Sequence, residues 1–305
     1  MSREHAIKTT DGKKNPNRIK AYLNLWKHHP GSAFIASLVW LAALITMGVL
    51  LFLVSFIVIK GVRHLTPELF ALTYNTDNVS LVPALINTLI ITVFSLLIAV
   101  PLGIFAAIFL VEYANKGSKM VNLIRITAET LQGIPSIIYG LFGLLFFCTT
   151  LHWGLSLLSG SMTLVIMILP LIIRTTEEAL LGVPDTYREA SFGLGAGKLR
   201  TIFRVVLPSA IPGILSGVVL ATGRIVGETA ALLYTAGSVA KVPENLMGSG
   251  RSLAVHMYVL STEGLYMDQA YATAVVLLVF VLALNGISAL IARRIARVST
   301  GNERD

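Results

Sequence analysis

The sequence is 305 residues long, 55% hydrophobic and 13% charged, with a mean hydropathy of +0.76. Soluble domains carry about 25% charged residues, so a single aqueous core is excluded and a polytopic membrane protein is indicated. The formal net charge of +8 does not point to nucleic acid, because the basic residues sit in short segments between apolar runs.

Six apolar runs reach the roughly 20 helical residues that cross a bilayer. They fall at 33–59, 83–111, 121–150, 161–182, 209–234 and 270–292. The first follows a basic segment but is too long for the core of a signal peptide and lacks a convincing cleavage site, so it reads as a retained span. The second contains Pro101 and Gly103, which spanning helices tolerate when neighbours satisfy the freed backbone groups. The third holds Cys148, the single cysteine, so no disulfide framework exists. The loops 60–82 and 235–269 read as one external face, the latter with a short interfacial helix near Leu253–Leu260. The six histidines show no metal-ligand spacing and read as interfacial or loop residues. Nineteen of the 24 lysines and arginines fall in residues 1–32, the loop near 113–125, the segment 174–208 and the C-terminus. With six spans these all lie on one side, and the positive-inside rule makes that side cytosolic, with both termini.

Between the fourth and fifth runs lies a polar island. Pro184 suits the first turn of a helix, and Asp185 and Glu189 sit near its positive end. Ala190 is small enough to admit another backbone. Gly193, Gly195 and Gly197 stop the helix and permit a sharp turn. Lys198–Val206 reads as a second short helix, ended by Leu207–Pro208 at the start of the next span. The pattern Glu189-Ala190-Ser191-x-x-x-Gly195, then Val205-x-Leu207-Pro208, resembles the EAA loop of binding-protein-dependent ABC importer permeases. The resemblance implies a rigid cytosolic coupler that docks in a groove of a separate ATP-hydrolysing subunit. An ordinary amphipathic loop is the plain alternative. Ser191 and Val205 depart from the usual alanine and isoleucine. The run Gly193–Lys198 is not a P-loop, because Phe192 stands at the first glycine, Leu199 follows the lysine and no strand precedes it. The chain therefore reads as no enzyme, without cofactor or metal.

The fifth run carries Arg224 and Glu228 inside the bilayer, where a charge costs about 2.5–3.5 kcal/mol. Four residues apart on one expected helix, they read as a pair. That pair is either a structural ion pair or a polar station on the path of an oxyanion, which an arginine fork suits. Arg174 is a second pathway candidate, or an ordinary basic flank.

Three further stretches narrow the resemblance: Glu129–Leu141 with its Gly133-Ile134-Pro135, Leu169–Ala179 around Arg174, and Arg224-x-x-Gly227-Glu228-Thr229. Over about residues 80–295 the chain resembles the PstA-type permease subunit of the phosphate ABC importer. That implies an all-α, type I ABC importer permease fold with six transmembrane helices in the bacterial inner membrane. It divides the chain into a cytosolic segment 1–32, a first transmembrane helix 33–60, a permease core 81–295 with coupling loop 183–208, and a tail 296–305. It also implies a PstC-type partner permease in a heterodimer, two cytosolic ATPase subunits, an external phosphate-binding protein, and phosphate as cargo. An importer permease for another small oxyanion stays open. So does a self-sufficient secondary transporter or channel, although that gives no reason for the loop.

Overall fold

A computed structural model describes residues 30–115 and 117–301. The expected segment 1–32 lies outside these residues up to position 29, and the tail from position 302. Among the described residues every regular element is helical. Helix α1 (Pro30–Val62) is followed by a single 3-10 turn, Pro67–Phe70. Helix α2 (Val82–Ile108) is prolonged by a π turn to Tyr113. Next come α3 (Lys119–Gln132), α4 (Ser136–Gly143, with a π continuation to Thr150) and α5 (Leu157–Leu181). The polar island forms α6 (Asp185–Gly193) and α7 (Lys198–Thr201), and a π turn, Ile202–Val206, leads into α8 (Leu207–Val226). The chain ends with α9 (Ala230–Thr235), α10 (Leu253–Glu263) and α11 (Met267–Gly301).

The chain divides into two compact units inside α1, between Phe56 and Ile57. Among the described residues the first is the apolar stretch 30–56 of α1, in which the Phe52 and Phe56 rings stack at 6.1 Å. The second holds the buried cores. At its centre Ile91 of α2, Leu164, Met167 and Ile168 of α5, Ile225 of α8 and Leu232 of α9 close on one another. Near the polar island Ala107, Ile108, Leu180, Val183, Ile202, Val206 and Ile214 form a separate core. In lipid, helices associate by close packing rather than by hydrophobic drive. Gly213 and Gly217 of α8 accordingly lie against Ala179 and Thr175 of α5, where a Cβ would clash. Ser156 caps α5 by accepting from the Ser159 N–H at 3.2 Å.

Among the described residues five helices are long and apolar enough to span a bilayer, and a bent pair makes a sixth if it counts as one span. That pair corrects the expected continuous run 121–150. Its arms, Lys119–Gln132 and Ser136–Thr150, meet at 100°. Pro135 has no N–H to give, and it drives Ile134 out of the helical region. The Tyr139 hydroxyl bridges the break, donating at 2.8 Å to the Leu131 carbonyl, which also accepts the Ile134 N–H at 3.2 Å. The arms together still run the length of α5. Arg125 pairs with Glu177 near one end of it at 2.5 Å, and Gly143 sits against Thr163 near the other.

Three other expectations change. The fifth run is not one helix to 234, because α8 ends at Val226 and the chain breaks at Gly227–Thr229 before α9. Leu207–Pro208 does not end the second loop helix. The π turn before it drops the hydrogen bond that Pro208 cannot make, so Lys198–Val226 runs on as one spanning helix. His256 is not interfacial: α10 packs inward, and its Leu253, Val255, His256 and Leu260 are fully buried.

Candidate functional site

The polar island is a compact knob because its turn is fully bonded. Helix α6 ends in a Schellman motif, with the Ala196 N–H on the Ser191 carbonyl (3.1 Å) and the Gly195 N–H on the Phe192 carbonyl (2.9 Å). Gly195 holds the left-handed position, with φ +81°. Gly193 and Gly197 do not, so only one of the three glycines is required by backbone geometry. The Ser191 and Thr201 hydroxyls bond at 2.8 Å and staple α6 to α7 from within.

A clamp that no local pattern announces fixes the knob to the bundle. The Arg188 Nε and Nη2 donate to Glu112 Oε1 at the end of α2, at 3.0 and 2.8 Å. Nη2 also donates to the Leu180 carbonyl in the last turn of α5 (3.0 Å) and Nη1 to the Val183 carbonyl just beyond it (2.8 Å). Both side chains are largely buried, at 14% and 9% exposure. Beside them the Lys198 ammonium stands 4.8 Å over the Tyr113 ring. Glu112 and Arg188 are 76 positions apart, which is why the sequence reading passed over them.

The outer surface of the knob is open and carries large apolar side chains among exposed charges. Tyr187, Phe192, Leu194 and Leu199 are exposed, Leu194 to 90%. Glu189 and Ala190 are exposed with them. Ala190 and Pro208 line a groove of about 840 Å³ with Tyr187, Leu194 and Arg204. Leu207 packs on the apolar core beneath. The expected loop residues Glu189, Ala190, Gly195, Leu207 and Pro208 therefore belong to one structural feature.

The intramembrane charges are arranged differently from the expectation. Arg224 and Glu228 form no ion pair among the described residues, because the helix stops between them at Val226. The buried Glu228 carboxylate instead accepts the Ala231 N–H at 3.0 Å across the break. Arg224 lines a cleft of about 800 Å³ between α5 and α8, together with Thr175, Glu178 and Ser216. Asn285 of α11 also lines it, with a buried side-chain oxygen that has no partner among the described residues. Arg174 binds Glu178 through its Nε at 2.7 Å. Glu178 thus lines the cleft that Arg224 also lines, and it is the acid of the site. Asn285 was overlooked, although a lone amide in an apolar run is a readable signal.

Outside the spanning helices, Arg251 is 4% exposed, and its Nε and Nη2 lack partners among the described residues. Its guanidinium lies 4.8 Å from the Tyr74 ring centroid. Burial first, and the Arg251 charge second, push the His256 imidazole down to about 3.

The sequence pattern of the binding-protein-dependent transport system inner membrane component matches residues 99–297. Over 268 residues the chain is 35% identical to the probable ABC transporter permease protein YqgI of Bacillus subtilis (strain 168), covering 80% of this chain and 89% of that protein. It is 36% identical over 205 residues to the phosphate transport system permease protein PstA of Mycobacterium leprae (strain TN), covering 66% of this chain and 67% of that one. It superposes with a TM-score of 0.63 on a chain from the crystal structure of a bacterial alginate ABC transporter in complex with an alginate-pentasaccharide-bound periplasmic protein. The overlay covers 92% of this chain and 99% of that one at 16% identity, a likeness of fold alone.

Proposed function

The chain belongs to the family of binding-protein-dependent transport system inner membrane components, and from that premise we propose that it is the permease subunit of an ATP-driven importer of inorganic phosphate. The fold is that of the type I ABC importer permeases. The observation that carries the coupling role is the knob of α6 and α7. It is stapled inside and presents exposed apolar side chains outside, as a part that passes force between subunits has to be. In this reading it docks on one of two cytosolic ATPase subunits, with Glu189, Ala190 and Gly195 at the contact and Leu207 and Pro208 at its root. In this reading the bent pair is one of six crossings, and the basic segments keep both termini and the knob on the cytosolic side.

Phosphate is the finer part of the proposal, supported by the named relative and by the cleft. Arg224 offers a planar fork suited to a tetrahedral oxyanion, and Glu178, held by Arg174, keeps a fixed cation from trapping it. Glu228 serves the path by fixing the break where the helix of Arg224 ends. The cleft opens on one face of this subunit, so a PstC-type partner permease completes it, and an external phosphate-binding protein delivers the ion. Proteoliposomes holding the whole complex test this. Phosphate should accumulate only with ATP inside and binding protein outside, and sulfate should not compete. Uptake without ATP would mean a secondary transporter. Equal uptake of sulfate would mean a permease for another oxyanion.

A further inference from the structure

The knob is joined by chain to α5 and α8, but α2 reaches it only through side chains. Glu112 takes Arg188, and Tyr113 lies under Lys198. The opposite end of α2 is tied just as specifically. The Asn87 amide donates to the carbonyls of Lys241 (2.9 Å) and Arg251 (3.1 Å). The Thr88 hydroxyl accepts the Leu253 N–H at 2.8 Å. Asn87 and Thr88 are buried, so these bonds have no water to compete with them. Between the two ends runs one helical stretch of 32 residues, Val82–Tyr113, about 48 Å at 1.5 Å per residue. Its weak point is Pro101, and that point is splinted. A Cβ on Gly103 would stand 2.6 Å from the Ile172 side chain, and the Ser95 hydroxyl donates to the Ser161 carbonyl at 3.1 Å.

We infer that α2 is a transmission rod that carries movement of the knob to the segment 239–253 at the far side, with Glu112 and Arg188 as positioning residues at one end and Asn87 and Thr88 at the other. A knob held only at its chain junctions can tilt about Gly182–Pro184 without moving the bundle. A third attachment on α2 turns that tilt into displacement of α2 along its length. The segment at the far end carries Arg251, which Asn87 holds by its carbonyl. The α5 helix reaches the same region, the Leu157 and Leu158 N–H groups donating to Gly248 and Leu246. The rod therefore works beside α5, and its loss weakens coupling without abolishing it.

The inference rests on the knob being the coupler, and the experiment separates the two. ATP hydrolysis and substrate uptake are measured in the same proteoliposomes containing the whole complex. Glu112→Gln keeps an acceptor but removes the charge, and Thr88→Val removes the acceptor for Leu253. Each is expected to assemble in normal yield and hydrolyse ATP within twofold of the parent, with uptake per ATP at least fivefold lower. The two sites lie about 36 Å apart along the helix, a distance at which independent effects multiply. On one rod they do not, so the double variant should lose no more than the worse single. Normal uptake per ATP in both singles, or multiplying losses, overturns the rod. Should Glu112→Gln lower complex yield, Tyr113→Leu gives the same comparison by removing the ring beneath Lys198. Gly195→Asp is the control: if it transports normally, the coupling role itself fails, whatever the rod variants do.

Discussion

Substitution of the loop glycines is expected to separate backbone geometry from mere smallness. Gly195 has φ +81°, and a Cβ there would meet nothing within 4 Å. Alanine is therefore penalised by conformation alone, by about 1–2 kcal/mol for a left-handed position. That corresponds to a fall of roughly 5- to 30-fold in the population of the native turn. Asparagine, which tolerates this region, should lose less. Gly193 and Gly197 have equally open surroundings but ordinary φ values, so Gly197→Ala should be neutral or slightly stabilising. The assay is uptake per ATP hydrolysed, with hydrogen exchange at the Ala196 amide as a local readout of the turn. Loss should rank Gly195→Asp, then Gly195→Ala, then Gly195→Asn, with Gly197→Ala unaffected. Equal behaviour of Gly195→Ala and Gly197→Ala would refute the argument from the Schellman turn.

Arg188→Ala removes the arginine partner of the buried Glu112 carboxylate and a donor to the Leu180 and Val183 carbonyls. It should destabilise the complex by about 3–5 kcal/mol, visible as a lower Tm in detergent. Arg224→Ala should abolish most uptake and Arg224→Lys should retain some. Because Glu228 is bound elsewhere, adding Glu228→Ala should deepen the loss, and restored uptake in the double variant would show that the two charges pair after all. His256 stays neutral in the folded protein down to about pH 3, whereas an unfolded histidine takes up its proton near 6.5. Stability should therefore be full above pH 6.5 and fall on acidification from there toward pH 3, by at most about 1.4 kcal/mol per pH unit. A His256→Gln protein should lose that slope in thermal melts, and an unchanged slope would contradict the assignment.

The helix–glycine–helix knob was legible because proline, alanine and glycine carry local geometry at fixed offsets. The break in the third span was punctuated by Gly133 and Pro135, but overall hydropathy favoured one long run. Only the structure shows that its first arm, with Lys119, Arg125 and Glu129, is a separate polar-faced helix. The pairing of Arg224 with Glu228 followed from helical spacing and failed where the helix ended at Val226, before Gly227. The clamp of Arg188 on Glu112 and the burial of His256 depend on contacts between distant segments, and no periodicity records them.

The central claim, that this chain takes its drive from an ATPase through the knob of α6 and α7, is tested most directly by site-specific photo-cross-linking in intact cells. A cross-linking side chain is placed at Leu194, the most exposed apolar residue of the knob, and for comparison at Asn75 and Glu244. Leu194 should capture the cytosolic ATPase subunit and the other two positions should not. Capture of the ATPase from Asn75 or Glu244, or its absence from Leu194 in an active complex, would contradict the account.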